Sequence, residues 1–321
     1  MLNSIRYAAR MVEQGACREV GFIGLGAMGL PMVRNLVAAG LRVRLTGRTP
    51  AKAAALVEAG AVWRESPRAV AADSDVIVLM LPDLPEVDAV LNGADGILAA
   101  SPRDLVLIIS STSSPDGVRA LDRRLAAETA GAVRVVDAPV SGGTDGAEAG
   151  TLSIMVGGAA PDVARALPVL RACGRPVHLG PLGAGQVAKA CNQMIVASTI
   201  LALGEAAVLA DRSGLDLPVL FDLLAGGYAG SRILSTRGER IVAEDYSPSG
   251  PAKYMVKDLH FATTIAAATD SHPVLLPAVT AAFEELVERG LGEFDIAVTR
   301  RFVGLRRGSD GHEPSTGVNE R

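Results

Sequence analysis

A chain of 321 residues that is 49% hydrophobic and 21% charged can bury the cores of two domains. Aromatics make up only 3%, so those cores must be built from Ala, Val, Leu and Ile. The net charge of −4 and a pI near 5.7 give no electrostatic reason to expect nucleic acid. Cys17, Cys173 and Cys191 have no CxxC spacing, and His178, His260, His272 and His312 have no HxxxH or HExxH spacing. That pattern argues against a disulfide framework or a metal site, and it suits a reducing, cytoplasmic compartment.

In chain order, residues 1–18 lack the long apolar stretch of a secretory signal and are read as an N-terminal extension. From residue 19 strands and helices alternate. REVGFIGL, RVRLTG, DVIVLMLP, DLVLIIS, VRVVDAPV and LSIMVGG read as strands, with AMGLPMVRNLVAAG and PAKAAALVEAG among the helices between them. Such alternation predicts parallel βαβ units with both sheet faces covered. After Gly185 the pattern changes. QVAKACNQMIVASTILALGEAAVLADRSG predicts one long buried helix, and LPVLFDLLAGG, PAKYMVKDLHFATTIAAATD, LPAVTAAFEELVERG and FDIAVTRRFVG predict further helices. The domain boundary is placed near Leu182. No apolar run is read as long enough to span a bilayer, so no membrane partner is expected. The polar, turn-rich end, RRGSDGHEPSTGVNER, reads as a disordered tail.

Five stretches carry chemistry. GLGAMG (Gly24, Leu25, Gly26, Ala27, Met28, Gly29) fits GxGxxG between a strand and a helix, the context in which that motif binds a dinucleotide. Its glycines allow a tight turn, backbone approach to a pyrophosphate and close helix–strand packing, with the anion on the helix N-terminus. About twenty residues on, an NAD site usually has an acid for the ribose hydroxyl. Here Gly47 stands with Arg48 and Thr49, which favours the 2′-phosphate of NADP(H) and leaves NAD(H) open. Leu81 and Pro82, at the end of DVIVLMLP, join the candidate cofactor contacts. DAPVSGG places Ser141, Gly142 and Gly143 after a strand as a site for a carboxylate-sized anion; the plain alternative is a glycine turn.

The fourth stretch is LGPLGAGQVAKACNQ, and the fifth is YMVKDL. The chain has four lysines among 31 basic residues, so a mere surface charge would normally be arginine. Unlike a guanidinium, an ammonium can give up its proton. Lys189 is therefore the candidate proton donor, with Asn192 and Gln193 three and four residues on along the same helix face. An ordinary helix lysine is the plain alternative. Lys257 and Asp258 in YMVKDL say little alone.

Taken together and in order, these motifs resemble the β-hydroxyacid dehydrogenase family, over about residues 20–303. The resemblance implies a Rossmann-type, doubly wound, mainly parallel α/β domain (19–182) and an all-α substrate and dimerisation domain (183–305), ahead of the tail read from composition (306–321). It implies reversible hydride transfer between NADP(H) and a small 3-hydroxy or 3-oxo carboxylic acid, in a homodimer or homotetramer. GTLSIMVGG and LAGGYAGSRIL resemble the tartronate semialdehyde reductase branch most closely. By the same resemblance Lys189 is catalytic, Ser141, Gly142, Gly143 and Asn192 bind substrate, Thr112 in ISSTSSP touches the nicotinamide side, and Lys257 approaches the cofactor. PSGPAKYMVKDL departs from that branch's wording. Two alternatives are an imine- or sulfonate-directed reductase of the superfamily and a non-catalytic NADP-binding protein; retention of Lys189 argues against an imine reductase.

Overall fold

The computed structural model describes residues 19–306; the expectations for an N-terminal extension and for the rest of the tail lie outside the described residues. The strands are β1 (Glu19–Ile23), β2 (Arg42–Thr46), β3 (Val62–Trp63), β4 (Val76–Leu79), β5 (Leu105–Ile109), β6 (Val133–Asp137), β7 (Val140–Ser141), β8 (Leu152–Gly157) and β9 (Gly174–Gly180). They lie in the order β3-β2-β1-β4-β5-β6-β8-β7, with β9 paired to β8. Pairing is parallel from β3 through β6, antiparallel around β8, and parallel again between β8 and β9. The first six strands thus have the doubly wound order, which reverses between β1 and β4.

The apolar strands are continuous because both faces are covered. Every residue of β4 and β5 is buried. Val20, Phe22, Val43, Leu45, Val76 and Val78 pack in one core with α1 (Gly29–Ala38), while Ile23, Ile77, Leu79, Leu107 and Ile109 belong to another with α5 (Pro115–Glu128). The short helices α2 (Ala54–Glu58), α3 (Pro67–Ala71), α4 (Leu84–Leu91), α6 (Gly143–Ala149) and the longer α7 (Ala160–Cys173) complete the crossovers.

Helices alone follow: α8 (Ala184–Arg212), α9 (Leu217–Ala225), α10 (Arg232–Ala243), α11 (Lys253–Ala268), α12 (Leu276–Glu288) and α13 (Thr299–Leu305). Three elements escape the sequence reading: the two-residue β3, β9 and α10. β9 contains Pro176, which a strand tolerates at an edge. α10 has Gly238 in its interior and begins at the cap of Ser231, which accepts from the Leu234 N–H. The bilayer expectation is corrected in one respect. By length and composition α8 could cross a membrane, since its many alanines carry few charges; buried helices of globular domains pass the same test.

Element type changes between Gly180 and Ala184, while compactness divides the chain inside α8. One unit holds the described residues up to Met194 with Asp258–His272, the other Ile195–Lys257 and the described residues from Pro273 on. Within the second unit, Gly204 lets α8 approach Thr299 closely, and the Thr299 hydroxyl donates to the Ile200 carbonyl at 3.0 Å. The fully buried Asp295 there is flanked by Arg237 and Arg240.

Candidate functional site

The glycine loop follows β1. Gly24 has φ +112°, and a Cβ on it would overlap the Met80 carbonyl. A Cβ on Gly29 would overlap the Gly24 carbonyl oxygen, so only glycine lets α1 start this close to the strand. The first bond of α1 runs from the Leu30 N–H to the Gly26 carbonyl at 3.1 Å, which leaves the preceding N–H groups at the helix mouth. Gly26 and Ala27 are exposed, Met28 is half-buried and Leu25 is buried. A Cβ on Gly26 would meet nothing within 4 Å. That open cradle of amides at a helix N-terminus fits a pyrophosphate.

Around the loop stand the other expected cofactor positions. Gly47, after β2, has the Leu25 side chain 3.3 Å from its Cβ direction. The exposed Arg48 and Thr49 follow it, and no acid pairs with Arg48 among the described residues. After β4, Leu81 packs beside the Gly24 turn, Pro82 is exposed, and Asp83 caps α4 with Glu86 in a reciprocal box. Thr112 is half-buried in the loop after β5, between the buried Ser111 and Ser113.

The DAPVSGG stretch lies where β6 ends. Ser141 is in β7, and Gly142 precedes α6 with φ +137°. Gly143 has open space around it. The Ser141 hydroxyl donates to Asn192 Oδ1 at 3.2 Å, and Asn192 Nδ2 donates to Gln193 Oε1 at 2.9 Å. The same Gln193 oxygen accepts from Lys189 Nζ at 2.9 Å, while Gln193 Nε2 donates to Asp258 Oδ2 at 2.6 Å. Chemistry fixes the direction of this chain. A carboxylate only accepts and an ammonium only donates, so the Gln193 amide has one permitted orientation. Lys189, Gln193 and Asp258 are buried.

Three members of this arrangement carry no role in the sequence reading. Asp137, fully buried at the end of β6, accepts from the Gly183 N–H and the Gln186 N–H, each at 2.7 Å, and so caps α8. Burial pushes its carboxyl above the ordinary value, opposed by those two backbone bonds. Gln186 is buried one turn before Lys189. Asp258 looked like a solvated charge beside Lys257; only its seat on Gln193 distinguishes it. The usable signals were an acid closing an apolar strand and a glutamine three residues before the lysine. All the expected site residues lie in the first unit except Lys257, which belongs to the second. No group of three or more metal-ligating side chains occurs among the described residues.

Two family models match the chain. The NAD binding domain of 6-phosphogluconate dehydrogenase covers residues 19–185, and the NAD-binding domain of NADP-dependent 3-hydroxyisobutyrate dehydrogenase covers 183–302. The chain belongs to the β-hydroxyacid dehydrogenase family. It is 40% identical to 2-hydroxy-3-oxopropionate reductase of Escherichia coli over 76% of this chain and 82% of that one. It is 34% identical to the mitochondrial 3-hydroxyisobutyrate dehydrogenase of Drosophila melanogaster over 90% of each. A solved 3-hydroxyisobutyrate dehydrogenase of Mycobacterium tuberculosis, with L-serine, aligns with a TM-score of 0.75 at 33% identity, covering 88% of this chain and 98% of that one. This dehydrogenase is therefore an NAD(P)-dependent oxidoreductase acting on the CH–OH group of a β-hydroxy acid. The expected fold, a mainly parallel Rossmann sheet followed by helices, is the one observed.

Proposed function

We propose that the dehydrogenase interconverts tartronate semialdehyde or a similarly small 3-oxo acid with its hydroxy acid, prefers NADP(H), and uses Lys189 as its proton donor. The observation that carries this reading is the hydrogen-bonded chain from Ser141 through Asn192 and Gln193 to Lys189. The bound nicotinamide supplies or accepts the hydride. Residues 24–29 hold the pyrophosphate, Arg48 and Thr49 the 2′-phosphate, and Leu81, Pro82 and Thr112 complete the cofactor contacts. Ser141, Gly142 and Gly143 hold the substrate carboxylate, and Asn192 orients a substrate oxygen.

Negative charge that builds on the carbonyl oxygen is met by Lys189, which gives it a proton; in oxidation Lys189 takes that proton back. Gln193 aims the ammonium without neutralising it, because an amide oxygen accepts a hydrogen bond but not a proton at neutral pH. A cytoplasmic location and a homodimer or homotetramer are part of the same proposal. The exposed Leu209, Val219 and Leu223 of the second unit support an apolar contact with another copy.

The test is steady-state turnover on tartronate semialdehyde, methylmalonate semialdehyde, succinate semialdehyde and a cyclic imine, with wild type, Lys189→Ala and Lys189→Arg. Lys189→Ala should lower turnover about 10²- to 10⁴-fold, the usual worth of a positioned acid. NADPH affinity should hardly change. Lys189→Arg should also be badly impaired, since a guanidinium keeps its proton. Near-normal turnover in Lys189→Ala would remove the lysine from the mechanism.

A further inference from the structure

The first turn of α8 is held from two directions. On the strand side, Asp137 receives the N–H groups of Gly183 and Gln186. On the other side, the Gln186 side chain uses both ends of its amide. Its Nε2 donates to the Ser111 carbonyl at 2.9 Å, and its Oε1 accepts from the Ser113 N–H at 2.9 Å. These two backbone groups flank Thr112. A side chain thus gives this loop the paired bonds that a neighbouring strand would give. The loop's own hydroxyls do not replace them. Those of Ser110, Ser111 and Ser113 are buried with no hydrogen-bond partner among the described residues.

Gln186 and Lys189 are three residues apart on one helix and therefore on neighbouring faces. The Thr112 loop continues β5, whose carboxyl end lies beside that of β4: the Ser110 N–H donates to the Leu79 carbonyl. Carboxyl ends of parallel strands are where such sheets bind a dinucleotide. One buried glutamine therefore joins the lysine's helix to the loop on the cofactor side.

We propose that Gln186 is a positioning residue for the reaction: by bracketing Thr112 it sets the distance between Lys189 and the nicotinamide side of the site. This rests on the proton-donor reading of Lys189. Hydride and proton must reach adjacent atoms of one carbonyl group, so a small shift of either source matters. A misplacement of about 1 Å costs about 100-fold in rate.

The experiment uses the full chain with the best substrate of the panel and compares Gln186→Leu, Gln186→Glu, Lys189→Ala and the Gln186→Leu/Lys189→Ala double variant. Turnover, KM, NADPH affinity and the isotope effect with NADPH deuterated at the transferred position are measured. Gln186→Leu should lower kcat by about 10- to 100-fold through misplacement. KM and NADPH affinity should stay within about threefold, and the isotope effect on kcat should rise as hydride transfer limits turnover. Gln186→Glu keeps the bond from Ser113 but sets a carboxylate oxygen against the Ser111 carbonyl, so its kcat should fall at least as far as that of Gln186→Leu. On the Lys189→Ala background, Gln186→Leu should cost less than about threefold more, because both act on one step.

A Gln186→Leu enzyme with kcat within about twofold of wild type, or a loss fully additive with Lys189→Ala, overturns the positioning role. If Lys189→Ala is inactive in that case, the proton-donor reading stands and only this inference fails. Should Gln186→Leu not fold, the same criteria applied to Gln186→Glu decide the matter.

Discussion

Gly26→Ala separates the cofactor role of the glycine loop from its structural role. Gly26 has no positive φ and no atom within 4 Å of where a Cβ would stand. The substitution therefore introduces no clash into the folded chain. By restricting the unfolded chain it should leave stability unchanged or raise it by about 0.4–1 kcal/mol. The methyl group instead fills the space over the open amides of the α1 mouth. Displacing a pyrophosphate there loses a charge-assisted hydrogen bond, worth about 1.5–3 kcal/mol. At about 1.4 kcal/mol per factor of ten, NADPH should bind about 10- to 140-fold more weakly. Fluorescence titration with NADPH and a denaturant melt measure the two effects separately. Gly29→Ala is the contrasting variant, since its Cβ would overlap the Gly24 carbonyl and should lower stability. Unchanged NADPH affinity in a normally folded Gly26→Ala enzyme would refute the placement of the pyrophosphate over Gly26.

Exchanging Gly47→Asp together with Arg48→Ala should move preference from NADPH toward NADH, because a carboxylate repels the 2′-phosphate and accepts from a ribose hydroxyl; equal kinetics with both cofactors in the unmodified enzyme would sink the idea. Gly185→Ala would bring a Cβ to 2.8 Å from Asp137 Oδ2 and into the Met155 carbonyl, so it should cost about 1–3 kcal/mol of stability by overpacking. The same clash pushes the start of α8 outward and should reduce kcat more than NADPH affinity, which paired melts and kinetics would reveal. Asp137 tests linkage. Burial holds its carboxyl above 3.8, so the folded chain retains a proton that the unfolded chain has released. Wild-type stability should therefore fall as pH rises from 3.8 through that raised value, whereas Asp137→Asn, which cannot ionise, lacks this decline. Denaturation of both proteins over a pH series, with parallel stability curves, would contradict the raised carboxyl.

Local pattern determined much of this protein. Continuous apolar runs such as Val76–Leu79 specify buried parallel strands, because every residue of such a strand faces a covered sheet surface. GLGAMG between a strand and a helix specifies its turn through Gly24 and Gly29, each forced by a backbone contact within six residues or by the adjoining strand. A lysine in a chain of arginines marked Lys189. Tertiary structure alone decided what surrounds it. Asp258 meets Gln193 across 65 residues, Gln186 meets Ser111 across 75, and Asp137 meets the start of α8 across 46. No periodicity encodes such pairings. A carboxylate or amide reads as solvated in sequence, and becomes part of the site only when folding removes water and leaves other buried polar groups as its partners. β9 and α10 were hidden for a related reason: Pro176 and Gly238 argue locally against their elements, and pairing with β8 for the one and burial of Leu234 and Ile241 for the other override that local preference.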